Sequence, residues 1–120
     1  MFASHHGLDR LTFIIDKNGL QGFGRTESVM NLGSLANKWE SFGFDVREIN
    51  GHDFKMIDDA LKSPAKRGKP RCIVAHTVKG KGVSFMEDRL EWHYHAINAT
   101  QLEQALKELD EAESRLQGRA

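Results

Sequence analysis

Three short apolar runs, separated by stretches with helical spacing, restrict this chain more than any other feature. Leu11-Thr12-Phe13-Ile14-Ile15 is rich in β-branched residues and stops at Asp16 and the turn-forming Asn18-Gly19, as a buried parallel strand does. Residues 17–31 carry three glycines and no helical period, which reads as a loop. Leu35, Trp39 and Phe42 then recur at helical spacing from about Ser34 to a stop at Gly43. Phe44, Val46 and Ile49 supply a second strand that ends at Asn50-Gly51-His52-Asp53, with Asp53 placed to cap a helix bearing Met56, Ile57, Ala60 and Leu61. That helix ends before Pro64, and a polar stretch leads to a third strand at Arg71 to His76. Strand, helix, strand, helix, strand in this order predicts an α/β fold: a three-layer parallel sheet flanked by helices and joined by right-handed crossovers.

At 120 residues the chain reads as a single domain over 1–120. Residues 78–98 form a long glycine-containing loop, and Thr100 with Glu103 reads as a capping box ahead of an amphipathic helix bearing Leu102, Leu106, Leu109 and Leu116. Seventeen basic residues against seventeen acidic ones provide no global pull toward nucleic acid or an anionic membrane. No apolar run reaches membrane-spanning length, and the start lacks signal-peptide character, so the cytoplasm is the expected compartment. Cys72, the single cysteine, lies inside an apolar strand and reads as a small buried side chain. The basic residues Lys62, Lys66, Arg67, Lys69 and Arg71 lack interleaved aromatics and read as a solvated loop.

In open parallel sheets ligands bind beyond the carboxyl ends of the strands. Asp16 to Leu20, Gly51-His52-Asp53, and His76 through His93 all follow strands, so three distant segments converge on one rim. Asn18 offers an amide oxygen, and the turn at Gly19 brings the Leu20 carbonyl into play. Both are hard oxygen donors of the kind magnesium takes when phosphate completes its octahedron. An Asn-Gly turn is also, more simply, a turn. His93 offers an imidazole for phosphate binding or proton transfer, but a lone histidine is often a surface residue. Lys79-Gly80-Lys81-Gly82 lacks P-loop spacing, and neither lysine receives a chemical step. The pairs His5, His6 and His93, His95 lack the partners of a zinc site.

Read together, Ile14-Ile15-Asp16-Lys17-Asn18-Gly19-Leu20-Gln21-Gly22-Phe23-Gly24, His76-Thr77-Val78-Lys79-Gly80-Lys81-Gly82-Val83-Ser84-Phe85-Met86-Glu87 and Glu91-Trp92-His93 resemble transketolase. The likeness runs from Phe2 to about Leu109 and is to the later half of the thiamine-diphosphate-binding domain. It implies a partial thiamine-diphosphate-binding fold with Asn18 and the Leu20 carbonyl as Mg2+ ligands. His93 becomes the residue at the cofactor diphosphate and the reacting sugar, and Phe2 to Leu8 the end of the helix before the first strand. The implied reaction moves a two-carbon ketol unit between sugar phosphates.

The family's upstream Gly-Asp-Gly is not among these residues, and neither is the pyrimidine-binding domain with its activating glutamate. The resemblance therefore implies one component of a split transketolase, an oligomer completed by chains supplying the early half of the diphosphate domain and the pyrimidine domain. The rival expectation is a non-catalytic relic or interaction scaffold that retains the fold. The family also commonly reads Trp-His-Gly where this chain has Trp92-His93-Tyr94.

Overall fold

The third run, Arg71 to His76, becomes the innermost strand. The computed structural model describes residues 1–64 and 66–118. Among these, the strands in chain order are β1 (Thr12–Lys17), β2 (Leu20–Gln21), β3 (Gly24–Arg25), β4 (Asp45–Asn50) and β5 (Arg71–His76). The helices are α1 (Phe2–His5), α2 (Thr26–Val29), α3 (Leu35–Ser41), α4 (Phe54–Lys62) and α5 (Ala99–Gln117), with a 3₁₀ helix at Leu90–His93. By packing the chain divides into two units, Met1–Asn18 with Met30–Thr77, and Gly19–Val29 with the segment from Val78 onward.

In the first unit β5 lies between β1 and β4, all parallel, in the order β1-β5-β4. Alternation along β5 builds two cores, because successive side chains of a strand point to opposite faces. Ile73 and Ala75 pack with Ile49, Ala60 and Ile57 on the α4 face. Cys72 and Val74 pack with Phe44, Ala3, Ile15, Leu35, Trp39 and Val46 on the other. Helices thus flank both faces of the parallel sheet, the three-layer α/β arrangement the strand pattern implies. Trp39 stacks on Phe13 with centroids 4.8 Å apart and meets Phe44 edge-on at 4.7 Å. Cys72 is fully buried, and that burial pushes its thiol up to about 11.

Local chemistry sets the helix ends. The Ser34 hydroxyl accepts from the Asn37 amide at 3.2 Å, and Asp53 Oδ1 accepts from Lys55 and Met56 at 2.9 and 3.1 Å. At the far end of α4, Arg71 corrects the solvated-loop expectation. It is only 4% exposed, and its guanidinium donates to the carbonyls of Ala60, Leu61 and Ser63, satisfying orphan carbonyls at a helix C-terminus where positive charge is favoured.

In the second unit β2 and β3 form a two-stranded antiparallel hairpin with Leu20 opposite Arg25 and Gln21 opposite Gly24. Part of the stretch expected to be loop is therefore a hairpin followed by the single turn α2. Strands two residues long leave no alternation to read. The capping box of α5 also lies two residues earlier than the expected Thr100 and Glu103: Asn98 Oδ1 accepts from the Gln101 amide at 2.9 Å, and Gln101 Oε1 accepts from the Asn98 amide at 3.0 Å.

Candidate functional site

Parallel pairing in register levels the three strand ends of the first unit. Lys17 and Asn50 both sit opposite His76, so the residues that follow form a common rim. Asp16 is its organising group. Its Oδ1 accepts from the Thr77 hydroxyl, and its Oδ2 accepts from Asn18 Nδ2 at 3.3 Å. Directing the Asn18 amide nitrogen to the carboxylate turns its oxygen, the atom a hard cation would use, away from Asp16. Gly51 shows how closely the rim segments approach. A Cβ there would lie 2.4 Å from Thr77 Cγ2 and 3.1 Å from the Ala75 Cβ, so only glycine lets the chain leaving β4 pass the end of β5. The Gly51 amide donates to the His76 carbonyl at 2.8 Å, and Asn50 Oδ1 accepts from the His52 amide at 3.0 Å. His76 Nε2 lies 3.0 Å from Glu48 Oε1.

Asn18 closes the first unit, and Leu20 opens the hairpin of the second. Gly19 between them has φ +75°, and a Cβ placed on it meets nothing within 4 Å. The turn is left-handed with open room beside it. Among the described residues no group of three or more His, Cys, Asp or Glu side chains could hold a metal by itself.

His93 is the last residue of the 3₁₀ helix, is exposed, and belongs to the second unit with Leu20. The helix packs against β2, which begins at Leu20. Trp92 anchors it, donating from Nε1 to the Phe85 carbonyl at 2.9 Å while its ring meets Phe85 at 5.4 Å. Tyr94, standing where the resembled family has glycine, has φ −130°. That is ordinary for any L-residue, so this departure requires no glycine.

The Lys79-Gly80-Lys81-Gly82 string is a folded turn. Gly80 has φ +73°, and a Cβ there would come within 2.5 Å of the Met86 carbonyl oxygen. Glu87 Oε1 accepts from the Gly82 amide at 3.0 Å and pairs with Lys81 Nζ at 3.1 Å. Geometry thus accounts for the glycines, and an exposed ion pair accounts for Lys81.

Sequence reasoning misses Thr77 and leaves Asp16 inside a motif without a role. The hydroxyl-carboxylate contact spans 61 positions, and only the β1-β5 register reveals it.

The family model described as transketolase, thiamine diphosphate binding domain, matches residues 1–114. The chain is 42% identical over 107 residues to an apulose-4-phosphate transketolase subunit of Actinobacillus succinogenes, covering 89% of this chain and 39% of that protein. It is 41% identical over 118 residues to the protein of the same name from Phocaeicola vulgatus, covering 98% of this chain and 42% of that one. The 6-deoxy-6-sulfo-D-fructose transketolase subunit SqwG of a Clostridium species is 38% identical over 112 residues, covering 92% of this chain and 40% of that protein. The chain therefore spans about two fifths of the length of these curated relatives, 39% to 42%. The crystal structure of transketolase from Campylobacter jejuni superposes with a TM-score of 0.64 at 24% identity, covering 97% of this chain and 23% of that chain, a likeness of fold.

Proposed function

Because the chain belongs to the transketolase family of thiamine diphosphate binding domains, we propose that it is one component of a split transketolase. In this reading it supplies part of a diphosphate-binding domain, corresponding to the later half, and works in an oligomer with complementary chains in the cytoplasm. Those chains provide the early half of the domain and the pyrimidine-binding part. The observation that carries this is the 42% identity, over 89% of the chain, to a protein named as one subunit of an apulose-4-phosphate transketolase. Among the described residues no helix is long and apolar enough to cross a membrane.

The proposed activity is transfer of a two-carbon ketol unit between sugar phosphates. Thiamine diphosphate, when bound, supplies the electron sink for breaking and making the carbon bond. The chain's residues bind and orient. Asn18 and Leu20 would hold Mg2+ through an amide oxygen and a carbonyl, and Asp16 fixes the rotamer of Asn18 through its 3.3 Å hydrogen bond. His93 would donate to the cofactor diphosphate and hold or move a proton at the reacting sugar, a role open to an imidazole near neutral pH.

Co-purification with the native complementary chains, followed by a ketol-transfer assay with thiamine diphosphate and Mg2+, tests the reading. Turnover that depends on this chain is the expected outcome. A complete set of partners that turns over equally well without it would refute the proposal in favour of a scaffold.

A further inference from the structure

Two contacts bracket the 3₁₀ helix that ends in His93, and both reach the hairpin that begins at Leu20. Before the helix, the Asp88 carboxylate accepts from both terminal guanidinium nitrogens of Arg25, from Nη1 at 2.8 Å and from Nη2. Arg25 is the cross-strand partner of Leu20. Asp88 is the one non-glycine residue with positive φ, +55°, among the described residues, a conformation aspartate tolerates better than most side chains but which still has to be held. Its amide donates to the Lys79 carbonyl at 2.9 Å, and the left-handed turn leaves its carboxylate in bidentate contact with the arginine fork. Immediately after the helix, the Tyr94 hydroxyl donates to the Gly22 carbonyl at 3.2 Å. A Cβ at Gly22 would stand 2.3 Å from that phenol oxygen, so a side chain there would displace the exposed Tyr94 ring from this seat. The Tyr94 and His93 rings are 6.1 Å apart.

We propose that Arg25–Asp88 and Tyr94–Gly22 form a two-point clamp that fixes the His93 segment against the Leu20 hairpin, making Arg25, Asp88 and Tyr94 positioning residues. The importance of the clamp for turnover rests on the transketolase reading given above, whereas the mechanical coupling is a property of this chain. Tyr94 thus supplies a side-chain tether directly after His93.

Amide exchange and histidine resonances of the full chain, measured by NMR, test the clamp in Tyr94→Phe, Asp88→Asn and Gly22→Ala, with the β5 amides of the other unit reporting that each variant is folded. Each variant should speed exchange of Leu20, Arg25 and residues 90–95 together by about two- to tenfold, the range set by losing one modest hydrogen bond. Each should also shift the His93 ring resonances, including Asp88→Asn, which leaves the neighbouring Tyr94 intact. Changes confined to the substituted side, with His93 unmoved by Asp88→Asn, would overturn the clamp. In the completed assembly Tyr94→Phe should lower kcat by a similar factor with little change in KM for the sugar. Arg25→Lys, which keeps the charge and loses the fork, should retain more turnover than Arg25→Gln. Coupled exchange with wild-type kcat would overturn the positioning role. A wild-type assembly without turnover would instead refute the transketolase reading, with the clamp still decided by exchange and the His93 signals.

Discussion

The roles proposed for Asn18 and His93 differ, and substitution in the proposed assembly separates them. Asn18→Ala removes one hard oxygen from the proposed magnesium site, so cofactor affinity should fall and excess cofactor should recover part of the activity. Unchanged affinity, measured by titration of the assembly with thiamine diphosphate and Mg2+, would refute the metal role. His93→Ala should instead lower turnover at saturating cofactor by on the order of a hundred- to ten-thousandfold if it transfers protons, and single-turnover kinetics would show it. The turn at Asn18-Gly19 is legible in the sequence because turn chemistry is local: an amide followed by glycine ends a strand in a recognisable way. Thr77 and Asp16 cannot be paired that way, because their contact exists only once β1 and β5 lie side by side. Arg71 misleads for a related reason. An arginine in a basic run looks solvated until the C-terminal carbonyls of α4 are brought to it.

At the scale of elements, the longer ones are legible because burial imposes a period on them. The five consecutive buried residues of β5, Arg71 to Ala75, belong to a strand covered on both faces, and Asp53 announces α4 by capping chemistry. The hairpin and the 3₁₀ helix carry no such signal, since elements of two to four residues are held by individual contacts. Asp53→Ala should destabilise the first unit by about 1 kcal/mol, read as a lower denaturant midpoint at unchanged slope. In the second unit Glu108 ties α5 to the preceding loop. Its carboxylate accepts from the Ser84 amide at 2.6 Å and the Ser84 hydroxyl at 2.7 Å. The Ser84 backbone bond, then its hydroxyl and Gln104, hold the Glu108 carboxyl below the usual carboxylate range. A folded pKa below the unfolded one means that this contribution is complete above the ordinary glutamate value of about 4.3 and is lost as pH falls through the lowered value. The Ser84 amide resonance should therefore hold its position on acidification to the ordinary glutamate range and move only below it. Movement centred at or above that range would show that the contact does not form in solution.

For the whole molecule, exposed apolar surface decides what the chain does in solution. The sheet of the first unit is only partly covered at its β1 edge. On the α4 face Ile14 of β1 is 58% exposed, while Phe13, on the opposite face beside Trp39, is 43% exposed; a groove of about 250 Å3 runs between β1 and α4, lined by Ile14, Ile49, Ile57, Leu61, Ile73 and Ala75. In the second unit α5 presents Leu102, Leu106, Leu109 and Leu116 at 45%, 51%, 46% and 70% exposure. Burying one large aliphatic side chain is worth about 1.5–3 kcal/mol, and monomers rarely leave contiguous apolar patches uncovered. An edge strand such as β1 adds a row of backbone groups open to pairing. The isolated chain is therefore expected to self-associate or to bind a complementary chain and, on the split-transketolase reading proposed above, to show no ketol transfer by itself with thiamine diphosphate and Mg2+. Light scattering at micromolar concentration, with and without the native partners, should show a defined heteromeric complex in one sample and an oligomer in the other. Ile14→Lys, which places a charge in the groove, should weaken whichever association uses that face while circular dichroism stays unchanged. A well-folded monomer that ignores its partners would sink the expectation of assembly, and turnover by the purified chain alone would sink the expectation that its activity requires other chains.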